Sequence, residues 1–133
     1  MWRSVVAVVA GCLAMTIIVG LMILILGIAF PQAFPNNETA ASLGWVLFIF
    51  LYYLFAAGVG GYLTSHLARI SSWRHVQVLA LLVLLLGLVQ LWAGMGKQPL
   101  WFLIAQITIE LIGVFFGGGL FARRMPAIEE TRP

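Results

Sequence analysis

Residues 100–122 read LWFLIAQITIELIGVFFGGGLFA, an apolar run in which Glu110 is the only charged side chain. A bilayer core of about 30 Å needs roughly 20 helical residues, so this run is long enough to span it. Three further runs without Asp, Glu, Lys or Arg precede it, at residues 4–37, 39–68 and 75–96. The four runs occupy most of the 133 residues and predict four membrane-spanning helices.

The composition supports this class. The chain is 63% hydrophobic and only 8% charged, with a mean hydropathy of +1.10, whereas a soluble domain carries about 25% charged residues. We therefore predict an all-α membrane protein with one transmembrane domain, residues 1–125, and a short cytoplasmic tail, residues 126–133. The domain is predicted to be a four-helix transmembrane bundle with helices at about 4–30, 43–68, 75–94 and 99–123.

The basic residues predict the orientation of the bundle. With four spans, six of the seven Lys and Arg residues lie on the side of the two termini, and only Lys97 lies on the other. The positive-inside bias places both termini in the cytoplasm. The first apolar run is longer than the roughly 7–15 residues of a signal-peptide core, so we expect a retained helix. Basic residues near a membrane surface also attract anionic head groups, a contact predicted for Arg69, Arg74, Arg123 and Arg124.

Small residues recur in the spans at intervals of three and four, which places them on single helix faces. Such stripes let helix backbones approach closely when lipid removes the hydrophobic driving force. This pattern predicts helix packing inside one bundle, with a dimerisation face as the alternative. The residues concerned are Ala57, Gly60, Gly61, Gly87, Gly113 and Gly117.

Glu110 predicts a polar site inside the bundle. A carboxylate at the bilayer centre costs on the order of 3 kcal/mol, so it is either satisfied by neighbours or kept neutral. Gln106 lies one turn away on the same face, and Gln90 and Tyr53 lie at a similar depth. One interpretation is a packed, neutral acid that donates to these groups. The other is a site that exchanges a proton or a cation during transport.

The sequence has few further residues that could form a disulfide, a metal site or a catalytic site. Cys12 is the only cysteine, so it predicts neither a disulfide nor a metal cluster, and we interpret it as an inert core residue. No nucleophile or paired-carboxylate pattern occurs, and we expect neither enzymatic activity nor nucleic-acid binding. The sequence does not indicate whether the protein binds a cofactor, so the cofactor is unknown. Aromatic residues that would permit pigment or quinone binding are Tyr52, Tyr53, Phe115 and Phe116.

Three short motifs carry a resemblance. Residues 60–69 read GGYLTSHLAR, residues 98–102 read QPLWF and residues 118–123 read GGLFAR. They resemble a group of small, functionally uncharacterised four-span bacterial integral membrane proteins with a glycine-rich second helix and a Pro-x-Trp start of the last helix. The resemblance implies four spans and transfers no activity.

Two functions are compatible with these features. The first is a non-catalytic structural or accessory subunit of a bacterial inner membrane, which associates with itself as a homo-oligomer or with a larger membrane complex. The alternative is a small proton-coupled transporter with Glu110 as the proton site. Small multidrug transporters also combine four helices with one buried Glu, but theirs lies in the first helix, whereas Glu110 lies in the fourth.

Overall fold

The computed structural model of the protein describes residues 2–34, 42–68 and 72–124, with side chains for all of these but 72 and 121–124. Regular structure in these ranges is helical. Each of the four long helices is long and apolar enough to cross a membrane, which confirms the predicted all-α class with four candidate spans. The side on which the termini lie stays a prediction. The helices are α1 (Trp2–Ala29), α2 (Leu43–Ala68), α3 (Ser72–Gly94) and α4 (Leu100–Arg124), and Pro31–Ala33 form a short 3-10 turn.

Proline and glycine shape the helix ends that the structure describes. Phe30, which precedes Pro31, adopts φ −140° and ψ 66°, because proline disfavours the helical conformation in the residue before it. After α3, Gly96 has φ +84°, a left-handed conformation that costs little without a Cβ. The carbonyl of Pro99 then accepts bonds from the backbone N–H groups of Phe102 and Leu103 and so starts α4.

Helix α2 lies at the centre of the bundle and packs most extensively against α4 and α1. Its contact with α4 is backbone to backbone. A Cβ placed on Gly113 would lie 2.8 Å from the carbonyl oxygen of Leu54, and a Cβ on Gly117 would collide with the carbonyl of Gly58. Gly113 pairs with Leu54 and Gly117 with Gly58, so the residue numbers rise in the same direction along both helices, and α2 and α4 are therefore parallel.

The other close contacts are antiparallel. Gly11 of α1 faces Gly60, whose carbonyl oxygen would lie 2.7 Å from a Cβ there. Thr64 on the same face of α2 donates a hydrogen bond of 3.3 Å to the carbonyl of Ala7. Between α3 and α4, the side chain of Ile107 packs against Gly87, where a Cβ would lie 2.8 Å from Ile107 Cγ1. Small residues therefore set the distances between these helices.

Two clusters of buried side chains fill the bundle, while α1 and α3 contact each other only sparsely. The cluster nearer the termini joins all four helices, and the other lies nearer the α1–α2 and α3–α4 connections. The first consists of Val8, Met15, Ala56, Ala57, Val76, Leu79, Ala80, Val83 and Val114. The second consists of Met22, Leu26, Val46, Ile49, Tyr53 and Phe102.

Candidate functional site

A hydrogen-bonded chain of three side chains joins α3 and α4. Glu110 is only 4% exposed and Gln106, one turn earlier on α4, is 6% exposed. The Gln106 Nε2 donates to Glu110 Oε1 at 3.4 Å and to Gln90 Oε1 of α3 at 3.1 Å. These two bonds use both hydrogens of the Gln106 amide. The structure thus brings together three of the four residues that the sequence singled out.

Tyr53, the fourth of these residues, reaches the same region from α2. Its side chain is 3% exposed and lies near enough to Glu110 for the two groups to repel each other when both are ionised. It also lines a cavity together with Gln90 and Gln106. The neighbouring Tyr52 behaves differently, because its hydroxyl donates a 3.2 Å bond to the carbonyl of Ile18. Tyr52 therefore belongs to the α1–α2 contact.

Two cavities meet at this polar chain. The loop-end cavity, of about 460 Å³, is lined by residues that include Phe34, Lys97 and Gln98 and extends to Gln106. The central cavity, of about 180 Å³, lies between α1 and α3 and has Glu110 in its wall. Both cavities are lined by Ile23 of α1 and Gln90 of α3. Because these two residues are common to both, the cavities adjoin each other.

The central cavity is open to the side between α1 and α3, and we call this opening the seam. Its edges are Thr16, Gly20 and Ile23 on α1 and Leu86 and Gln90 on α3, all of them exposed. A Cβ on Gly20 would meet no other atom within 4 Å. The seam exists because α1 leans on α2 through Gly11 and Gly60 and makes few contacts with α3.

Cys12 also lines the central cavity and is partly exposed. Cys12 also packs against the core cluster nearer the termini, as expected of a core residue, and its inertness stays a prediction. Lys97, Gln98 and the edges of the seam other than Gln90 were not singled out from the sequence as site residues. Lys97 could have been noticed, because it is the only basic residue at the loop end of the bundle.

The aromatic residues named for pigment or quinone binding do not converge. Phe115 and Phe116 line a separate apolar groove of about 590 Å³, together with Trp73. Trp73 and Phe115 pack with ring centroids 5.8 Å apart. Among the described residues, no group of three or more His, Cys, Asp or Glu side chains is arranged to hold a metal ion.

The predicted packing residues lie at contacts between helices, whereas only one of the predicted head-group residues has a described side chain. Ala57, Gly60, Gly61, Gly113 and Gly117 lie in the contacts of α2 with α1 and α4, and Gly87 lies in the contact of α3 with α4. Arg74 is exposed at the start of α3. Arg69 and the side chains of Arg123 and Arg124 lie outside the described part, so their head-group contacts stay predictions.

Comparison with family models, with curated proteins and with solved structures finds no significant match to this chain. The resemblance to small four-span bacterial membrane proteins stays a prediction.

Proposed function

We propose that this chain is a small proton-coupled transporter in which Glu110 exchanges a proton with a small molecule bound beside it. The observation that carries the proposal is the position of Glu110, a buried acid in the wall of a cavity that is open to the side. A carboxyl group packed only as a neutral bundle residue needs no cavity. A group that trades its proton for a ligand needs both space and a route to it.

The surroundings of Glu110 suit this role. The described groups that face it are Gln106 on its own helix, Gln90 across the cavity, Tyr53 on α2 and Cys12 on α1. Lys, Arg and His are absent from this described set. A carboxylate without a cationic partner in an apolar environment favours its protonated form. A bound cation would reverse that preference, and this is the coupling that the proposal requires.

Infrared spectroscopy of the protein in liposomes tests the proton exchange. Difference spectra between acidic and alkaline buffer should contain a carboxylic acid C=O band that the Glu110→Gln variant lacks. The acids of the connecting loop and the tail are unchanged in this variant, so their bands serve as the internal control. Identical spectra from the two proteins would show that Glu110 does not exchange its proton, and the proposal would then be rejected.

Transport itself is tested by uptake into proteoliposomes under an imposed pH gradient. A panel of radiolabelled amines, amino acids and sugars should include a compound that the wild type accumulates and Glu110→Gln does not. The correctly folded fraction of both proteins should be matched by size-exclusion chromatography. Uptake of such a compound at equal rates by both proteins would contradict a coupling role for Glu110.

The second candidate function is a non-catalytic structural or accessory subunit. It is favoured by Gly20, Gly27 and Gly119, each of which has open space where a Cβ would lie, so a partner helix could approach closely there. Native mass spectrometry of the chain extracted from its own membrane tests this candidate. A heterologous partner at fixed stoichiometry would support it, and a strictly monomeric protein without any partner would exclude it.

A further inference from the structure

The seam opens towards the hydrocarbon layer of the membrane. Ile23 and Leu86, on its two edges, are 45% and 48% exposed. Both lie well inside helices of membrane-spanning length, so the medium they face is lipid. Glu110, in the wall behind them, is only 4% exposed. A molecule dissolved in the bilayer can therefore reach this acid without crossing the bundle from an aqueous end.

The route from the loop end differs in charge. Lys97 lines the loop-end cavity together with Gln98, and among the described residues of that lining it is the only charged side chain. A cation that approached Glu110 along this cavity would pass a like charge, which costs energy wherever the medium is poorly polarisable. The seam has no charged side chain on its described edges. The seam therefore suits an amine in its uncharged form, which dissolves in hydrocarbon and needs to carry a charge only at Glu110.

Two hydrogen-bond acceptors line the central cavity, beside the amide NH2 of Gln90 and the thiol of Cys12. Glu110 offers the carboxyl oxygen that Gln106 does not use. Gln90 Oε1 accepts one bond from Gln106 and has a second lone pair. Both residues line the central cavity. One ammonium group carries three donors and one positive charge, which matches these acceptors and a single carboxylate.

Most of the remaining side chains that line the central cavity are apolar, so they fit a ligand whose ammonium group is attached to an apolar chain. Met15, Val19, Val83 and Leu86 contribute only aliphatic or thioether surface. The central cavity, at about 180 Å³, holds a head group and the first carbons of a chain. The seam then lets the remainder of the chain lie between α1 and α3 in contact with lipid.

We propose that the seam takes up a single-chain amphipathic amine from the bilayer and that its ammonium group binds Glu110 and Gln90. The amine enters from the hydrocarbon layer as the free base, and the proton of the Glu110 carboxyl passes to its nitrogen. One O–H bond is broken, one N–H bond is formed, and the net charge of the site is unchanged. This assignment of the ligand rests on the proposed function, because it uses the same carboxyl group as the exchanging acid.

Native mass spectrometry of the detergent-solubilised protein tests the assignment with three probes of equal chain length, namely dodecylamine, dodecanol and dodecanoic acid. The amine should form a one-to-one complex more tightly than the other two. The Glu110→Gln variant should bind the amine about tenfold more weakly or worse, since a hydrogen bond to a charged group is lost. Its affinity for dodecanol should stay the same.

Two glycine variants locate the site. Gly20→Leu fills the edge of the seam and should abolish the one-to-one amine complex, while Gly119→Leu alters the separate groove beside Trp73 and should leave it intact. Both positions have open space for a side chain, so both variants should fold. Loss of the complex in Gly119→Leu alone, or equal binding of the three probes, would overturn the assignment.

The infrared test separates failure of this ligand from failure of the proposed function. If dodecylamine fails to bind while the Glu110 infrared band still titrates, the ligand class is wrong and proton exchange stands. If the band is also absent, the proposed function fails as well.

Discussion

The Gln106 amide on α4 donates a hydrogen bond of 3.1 Å to Gln90 on α3, and its second hydrogen goes to Glu110. One side chain therefore orients both polar groups that face the central cavity. In hydrocarbon no water is available to these groups, so both bonds satisfy them, and the bond from Gln106 to Gln90 also ties α3 to α4. Gln106 is in this sense a positioning residue, and Glu110 and Gln90 are the groups within reach of a ligand.

Replacing Gln106 by Leu should therefore destabilise the bundle. Hydrogen bonds between membrane helices contribute about 0.6–2 kcal/mol each. The substitution removes one such bond, to Gln90, together with the bond to Glu110 within α4, and it leaves both acceptor oxygens without this donor. The measurement is reversible unfolding in mixed micelles, followed by circular dichroism. Thr108→Val is the matched control, because the Thr108 hydroxyl bonds only to Ile104 in its own helix and faces outward. Equal stability of the two variants would mean that the Gln106 bonds add nothing to the fold.

The glycine run of α4 offers a second matched pair. Gly117 lies against the carbonyl of Gly58 on α2, whereas nothing lies within 4 Å of a Cβ on Gly119. Gly117→Leu should force the two parallel helices apart and cost about 1–3 kcal/mol or prevent folding, as overpacking does. Gly119→Leu should change the free energy of unfolding little. The reverse order of stabilities would place the α2–α4 contact on the other face of α4.

The number and the approximate bounds of the helices could be predicted from the sequence, because a lipid bilayer restricts which segments can cross it. A span must be a long apolar helix, and the four runs of the chain meet that condition without ambiguity. The link from Gln106 to Glu110 also follows from helix geometry, since residues four apart lie on one face. Its extension to Gln90 required only that α3 and α4 be antiparallel neighbours at a similar depth.

The seam could not be predicted in the same way. Every helix carries small residues, and a stripe of small residues does not state which neighbour it will meet. Helix α1 packs on α2 because Gly11 fits closely against Gly60 and Thr64. As a result, α1 makes few contacts with α3, and the seam stays open between them. One step along α1 separates Gly11, on the face packed against α2, from Cys12, which lines the central cavity and also packs against the core. Such choices are decided by complementary shapes and not by composition.

Gly96 allows a test of the turn between α3 and α4. Its φ of +84° is unfavourable for a residue with a Cβ, so Gly96→Ala should destabilise the protein by about 1–2 kcal/mol. Gly44→Ala, in the first turn of α2 and with open space around it, is the control and should not destabilise. Thermal unfolding of the three proteins in one detergent gives the comparison. A melting temperature for Gly96→Ala equal to that of the wild type would show that the turn adapts without strain.

Cys12 provides a native probe of the seam, because it is the only cysteine of the chain and lines the central cavity. A membrane-soluble maleimide should modify it in liposomes, and intact-protein mass spectrometry should follow the reaction. Gly20→Leu narrows the approach to the thiol and should slow the modification several-fold. Gly119→Leu, in the separate groove beside Trp73, should leave the rate unchanged. A charged thiol reagent of similar size should react much more slowly with the wild type, because lipid and not water reaches the edges of the seam. Equal rates for the two reagents would instead mean that water fills the cavity from the loop end, past Lys97, and the side opening would lose its role as the route to Glu110.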